Sequence, residues 1–512
     1  MIGSGPNGLV AACILAMKGW KVTVVERSDR AGGAVRSDEL TAPGFIHDTY
    51  SAFYGMLHAS PVLKELGLDT RIKWADFEIP VAAVTTRERA ALCFRDSAST
   101  ASHLGELASG DGDAWQDLYG WWRRSGRHFL SATLASIPSL RPTVRFAAST
   151  GLRHALPTAG MLLSTMRSLA EDRFTSQEAR SLLACGASHA DVSIDATGSV
   201  PPALILAMVA QEKGMPIPVG GASRIPDELV TILRSNGGSL VLDSAVSRVI
   251  AEHGRAVGVE TSDGRYFRAR RAVLADVGVK QLFQHLVTDS FLPRQFLDGV
   301  RRFRHGTGFF KMDMALSGPV PWLAGGLAKT GVIHLTGDLH QMSMSMNEVA
   351  AGALPTRPLL IVGQQTVADP TRAPAGKHTL WVETSVPSTP MQGGTRLDWR
   401  ELARPFGDTV LSLLEDHAPG VSSLIEGLSI KTPQDLEAAN PNLVGGDPGG
   451  GSMSLDQQLI FRPVPGWFRY RTPIKGLYLC SASAHPGGGV HGMVGRNCAE
   501  RVLRDRLSPR RR

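Results

Sequence analysis

Apolar and polar positions follow different rhythms in successive parts of the chain. Leu9–Lys18 is an Ala-rich apolar stretch that reads as a helix, and Val22–Val25 is an unbroken apolar run suited to a strand buried on both faces. Only Met1 and Ile2 stand ahead of Gly3, where a strand usually needs about five or six residues. The central strand is therefore a stub, which places the natural start upstream or requires a tolerated short strand; the first is preferred. Phe45–Tyr54 reads as a loop, followed by a helix to about Leu66. Ala82–Thr85 and Ala90–Phe94 then alternate with period two, as strands do.

From about residue 100 to 215 the period changes. Leu104–Leu107, Ala114–Leu130, Val144–His154, Gly160–Leu169 and Ser176–Cys185 carry apolar residues at helical spacing, with few strand signals. Beyond them come a helix at Ile225–Ser235 and strands at Ser239–Leu242, Val246–Glu252, Ala256–Thr261, Tyr266–Ala269 and Arg271–Asp276, with Asp263-Gly264 as a hairpin turn. Gly308–Leu316, Leu359–Gln364 and Thr379–Val386 read as strands of a second, mixed sheet, followed by a helix at Arg400–Asp416. The chain closes with a strand at Gly476–Cys480, a glycine-rich loop and a helix to about Leu507. At 512 residues this is too much for one core. The pattern predicts an α/β fold of three parts. A nucleotide-type domain comprises 1–70, 217–290 and 470–512. A substrate domain comprises 71–100 and 291–469, and residues 101–216 form a helical insertion.

Composition narrows this only a little. With 43% hydrophobic and 20% charged residues the chain is globular, and no apolar run is long enough for a membrane-spanning helix. No charged segment followed by an apolar one marks a secretory leader. The five cysteines, Cys13, Cys93, Cys185, Cys480 and Cys498, make no C-x-x-C. That points to a reducing, cytoplasmic setting and speaks against structural zinc and disulfide reduction. The net charge of +7 comes partly from the tail Arg501–Arg512 and does not point to nucleic acid. Arg141, Arg145, Arg153 and Arg167 lie among apolar helical residues with few acids until Glu171. This makes the insertion a candidate for peripheral membrane contact and for admitting an apolar substrate. The oligomeric state is not readable.

The chemistry lies at the two ends. Gly3, Gly5 and Gly8, with Pro6 and Asn7 between them, fit G-x-G-x-x-G: a tight turn out of a strand, close backbone approach to a pyrophosphate, and close packing of the next helix. The N–H groups at that helix start favour phosphate. Glu26 ends the next strand, where a carboxylate accepts from a ribose 2′-OH, and Gly32-Gly33 follows. The alternative is a glycine-rich turn that holds no ligand. Ser481 and the run Gly487-Gly488-Gly489-Val490-His491-Gly492-Met493 form a second strand-to-helix turn. Two such turns so far apart suggest one large cofactor held by both ends of the chain.

These residues resemble the FAD-containing phytoene-desaturase-like oxidoreductases of the amine-oxidase superfamily. The likeness covers Met1–Ser37, Val219–Asp276 and Gly476–Leu503. Within that family the chain resembles the branch of pyridine nucleotide-disulfide oxidoreductase domain-containing protein 2. That likeness rests on the segments Gly308–Asp313, Asp369–His378 and Asn440–Asp447. The resemblance implies a Rossmann-like FAD-binding domain of the amine-oxidase type. It implies that FAD is held by Gly3, Gly5, Pro6, Asn7, Gly8, Glu26, Arg27, Gly32, Gly33, Val246, Ser481, Gly487, Gly488, Gly489, Val490, Gly492 and Met493. Ser481-Ala482 stands where many amine oxidases carry Gly-Asp or Gly-Glu, which weighs against amine oxidation. No cysteine pair supports the disulfide chemistry in the branch name.

The expected reaction is dehydrogenation or desaturation of a lipophilic small molecule, with a second acceptor such as a quinone or O2 reoxidising the flavin. Amine oxidation, double-bond saturation, isomerisation and a flavin-binding regulatory role are the alternatives. No catalytic residue is identified. His485 and His491 are candidates for contact with flavin or substrate, or for a structural role. Lys311 and Asp313 share a strand face and could equally be a solvated pair.

Overall fold

A computed structural model describes residues 1–288, 290 and 292–507. Two sheets organise it. In the first, all pairings are parallel, in the order Ser239–Val241, Thr23–Val25, Ile2, Val273–Ala275, Leu477–Leu479. The stub at the N-terminus is the middle of this sheet: Ile2 N donates to Leu274 O at 2.8 Å and Gly3 N to Val25 O at 2.9 Å. It makes two bonds on each side, and Ile2, Val24, Val25, Leu274 and Ala275 are all buried. The chain turns from Ile2 into the Pro6–Met17 helix, of which Asn7–Ala16 are buried. Val246–Glu252, Arg255–Thr261 and Tyr266–Arg268 form an antiparallel meander beside it.

The second sheet has seven strands. Their order is Ile425–Lys431, Gly308–Leu316, His378–Val386, Leu360–Gly363, Thr330–Leu335, Ile79–Val84, Ala90–Cys93. Side chains alternate between its faces. Phe310, Met312, Met314, Val362, Leu380 and Val382 point outward and pack on the Trp399–His417 helix as a separate core. Phe309, Val332, Ile361 and Trp381 belong to the core shared with the parallel sheet and the insertion, so the other face looks inward.

Helices dominate from Ser97 to Lys213, though not always in the segments expected. Val144–His154 and Gly160–Leu169 are not two helices. One helix, Leu140–Leu163, covers most of both with a break at Gly151 (φ 70°), and a short helix follows at Met166–Arg173. The helix expected up to Leu66 is two pieces, Gly55–Ala59 and Val62–Glu65, with a third, Leu68–Arg71, beyond it. Ser60, held extended before Pro61, makes the first interruption. The Val200–Lys213 helix was not among the expected elements; its Pro201-Pro202 pair stands in the first turn, where prolines are tolerated. The Thr330–Leu335 and Ile425–Lys431 strands were also missed. Glycine and polar residues break their apolar pattern, and pairing in the sheet decides them.

Candidate functional site

The two glycine turns meet. A Cβ on Gly495 would stand 2.1 Å from Asn7 O, and Cys480 Sγ lies 3.8 Å from the same oxygen. The Pro6–Met17 and Met493–Leu507 helices therefore start side by side, with their free N–H groups at one place. The Gly32-Gly33 loop closes over the first turn, with Gly32 N donating to Ser4 O at 3.0 Å. Glu26 is buried at the end of its strand. Its carboxylate accepts from Ser4 N (2.8 Å), Ser4 Oγ (2.7 Å) and Ser28 N (2.9 Å), which leaves lone pairs for further donors. Val246 begins the meander, two residues beyond Ser244, whose N–H donates to Glu26 O at 2.8 Å. Gly3, Gly5, Pro6, Asn7, Gly8, Gly32, Gly33, Glu26 and Val246 thus border one region. Arg27 stands at the same strand end with an exposed side chain.

Asp276, noted in sequence only as the end of a strand, proves central. Its Oδ2 accepts from Gly8 N at 2.7 Å, and a Cβ on Gly5 would lie 2.6 Å from that oxygen. Burial pushes this carboxyl up to about 7, against the pull of the Gly8 N–H. A carboxylate at a helix N-terminus was invisible because the partners are 268 positions apart.

At the other turn, Ser481 Oγ is buried with no hydrogen-bond partner. The 487–490 loop packs on the 449–451 segment, where a Cβ on Gly488 would lie 3.0 Å from Gly449 Cα. Asp447 and Arg462 hold that segment. The first accepts from Gly449 N and Gly451 N, both at 2.7 Å, and the second donates to Ser452 O and Ala482 O. The two histidines separate in role. His491 Nδ1 accepts from Met493 N at 3.0 Å and so caps the helix. His485 Nε2 bonds Ala135 O at 3.0 Å, and its Nδ1 is buried without a partner. Burial holds both imidazoles neutral, near 4.

The inner face of the seven-stranded sheet carries a row that sequence reasoning did not assemble. Lys431, Lys311, Glu383, Ile361 and His334 are direct cross-strand partners in turn, so they lie on one face. Lys311 and Asp313 are 1% and 0% exposed and ion-paired. The reading of them as a solvated pair is corrected: period two identifies a face, and this face is interior. His47 Nδ1 lies 3.7 Å from Asp313 Oδ1. Burial and the neighbouring cations Lys311, Arg372 and Lys431 hold His47 near 3. His334 meets His189 of the insertion, Nε2 to Nε2 at 3.0 Å. Glu383 and His189 keep accessible area of their own, yet burial shifts both, pushing Glu383 up to about 8 and His189 down to about 4. A pocket of about 380 Å³, lined by Ser188, Asp191, His305, Met346, Val349 and Ser385, adjoins this region. No group of residues suited to a metal ion occurs among the described residues.

Comparison with known proteins agrees with this geometry. Residues 7–385 match the family model of flavin containing amine oxidoreductases. Pyridine nucleotide-disulfide oxidoreductase domain-containing protein 2 of Rattus norvegicus is 28% identical, aligned over 99% of this chain and 93% of that protein. A neurosporene-forming phytoene desaturase of Cereibacter sphaeroides is 23% identical over 97% of this chain and 92% of its own. Among solved structures, an oxidoreductase from Methanosarcina mazei superposes with a TM-score of 0.62 at 19% identity, covering 98% of this chain and 99% of that one.

Proposed function

Because this chain belongs to the flavin containing amine oxidoreductase family, with FAD as its cofactor, we propose that it is a dehydrogenase or desaturase of a largely apolar substrate. The substrate lies between the 487–490 loop and the inner face of the seven-stranded sheet. The observation that carries this reading is the convergence of both glycine turns on Asn7, which suits one long cofactor gripped at both ends.

The residues fit that group. Glu26 has lone pairs for ribose hydroxyls, and the turn Gly3–Gly8 with Gly32 and Gly33 suits the pyrophosphate. The backbone near Val246 suits the adenine. The unpartnered Ser481 Oγ, the 487–490 loop, Gly492 and Met493 suit the flavin end. FAD, when bound, supplies a hydride acceptor. The protein's part is to orient the substrate and keep water out, for which Phe53 meets Trp381 of the inner face edge to face and packs at a tilt on Phe77. Glu383, with its carboxyl near 8, holds a proton at neutral pH and gains the capacity to accept the proton that accompanies hydride loss as pH rises through that value.

Similarity to a phytoene desaturase over nearly the whole chain supports an apolar substrate, as does Ser481-Ala482 at the end of the last strand. The family requires an electron acceptor as well, and a single dinucleotide fingerprint favours a quinone or O2 over a nicotinamide. Anaerobic mixing of the FAD-loaded protein with saturated and partly unsaturated polyene precursors tests the reaction. Bleaching of the flavin by the more saturated member supports desaturation. Bleaching by amines alone, or by nothing while a partner protein is captured, contradicts it.

Contact with a membrane surface is part of the same reading. No described helix is long and apolar enough to cross a membrane. The Leu140–Leu163 helix, however, exposes Leu152 (96%) and Leu156 (84%) beside Arg145 and Arg153, and no acid occurs from 118 to 170. Flotation with anionic liposomes, weakened by Leu152→Asp with Leu156→Asp, is the expected result. Protein that stays entirely in the dense fraction contradicts it.

A further inference from the structure

On the inner sheet face, one cation has no carboxylate of its own. Lys431 is half-buried and opposite Lys311, where like charges repel. Its near neighbours include two cations, Lys311 and Arg36, and two carboxylates, Asp313 and Asp38. Both carboxylates already carry an ion pair, although Asp313 Oδ1 makes no hydrogen bond. Asp313 pairs with Lys311, while Asp38 takes Arg30 at 2.6 Å and Thr49 Oγ1 at 2.8 Å. Those charges cancel and leave that of Lys431 unmatched. Among the described residues no carboxylate lies within ion-pair distance of it. Its ammonium stands 5.8 Å from the Tyr50 ring centroid, a weak partner for a full charge.

Further donors point the same way. Trp381, the cross-strand partner of Asp313, has a buried Nε1 with no acceptor. Lys311 has three N–H donors and one carboxylate. A purely hydrocarbon ligand beside Lys431 would leave its charge without a counter-ion, at a penalty.

We infer that Lys431, with Trp381 and the spare donors of Lys311, forms a subsite for the carboxylate of an otherwise apolar substrate. This rests on the apolar-substrate reading above and narrows it from a hydrocarbon to an amphiphile. The carboxylate supplies the missing counter-charge, and the tail runs along the wall of Phe53 and Ile361.

The test uses the FAD-loaded full chain and two probes, parinaric acid and its methyl ester, both fluorescent conjugated polyenes. The acid is expected to bind about tenfold or more tighter than the ester, the scale of a hydrogen-bonded charge. Lys431→Gln should remove that preference by weakening the acid alone, and Lys431→Arg should keep it. Lys377→Gln, which breaks an exposed pair with Glu426, should change neither. Equal binding of acid and ester by the wild-type protein overturns the subsite and leaves the apolar-substrate reading standing. A Lys431→Gln protein that retains the preference also overturns it. If neither probe binds, the subsite and the apolar-substrate reading both fall, while the flavoenzyme assignment stays.

Discussion

Gly33 lies backbone against backbone on Gly5: a Cβ built on Gly33 would stand 3.1 Å from the Gly5 Cα. Gly33 also holds φ at +56°, in the left-handed region. The second glycine loop can close on the first only because Gly33 carries no side chain there, whereas a side chain on Gly5 would meet Asp276. Gly33→Val should therefore part the loops, leaving the sheets intact. Flavin retained through gel filtration should fall at least about tenfold, since left-handed backbone alone costs a β-branched residue about 1–2 kcal/mol. Far-ultraviolet circular dichroism should be unchanged.

Glu26 joins Ser4 and Ser28 to the end of its strand. In Glu26→Gln an amide replaces an acceptor-only group, so one of these charged hydrogen bonds is lost together with any to ribose. The expected loss is about 1.5–3 kcal/mol of FAD binding, roughly ten- to a hundredfold in Kd, read by titrating apoprotein with FAD.

Glu383 predicts a pH dependence. Its folded value, about 8, lies above the ordinary 4.5. Between those values the folded protein holds a proton that the unfolded chain releases. Stability from this group is therefore full below about 4.5 and is lost as pH rises toward 8. Thermal unfolding of the FAD-free protein should show Tm falling across that window. Glu383→Gln should flatten the fall, raising Tm at pH 8 relative to wild type and leaving it nearly unchanged at pH 4.5.

The buried Lys311–Asp313 pair predicts strong non-additivity. Lys311→Met or Asp313→Leu alone leaves one buried charge unpaired and should cost about 3–5 kcal/mol, whereas the double substitution should cost much less than the sum. Urea unfolding of the four proteins gives the coupling directly.

Much of this was legible from the sequence where one residue type is physically required. The turn at Gly3, Gly5 and Gly8 could be read because backbone approach excludes a side chain. The Gly308–Leu316 strand could be read because nine residues in a row are buried. The inner face was not legible. Lys311 and Asp313 share a face at any depth, and only the pairing with His378–Val386 and Ile425–Lys431 shows that face to be interior. Glu383 in the run Leu380–Val386 was the available signal, a lone acid within a buried strand. Asp276, His189 and His334 gave none, since each is defined by a partner more than a hundred residues away.

The visible absorption spectrum of the purified chain, taken after incubation with FAD and removal of the excess, tests the central claim most directly. Flavin absorption close to one equivalent per chain, lost in Gly33→Val, is the predicted result. A folded protein that emerges colourless would contradict the account.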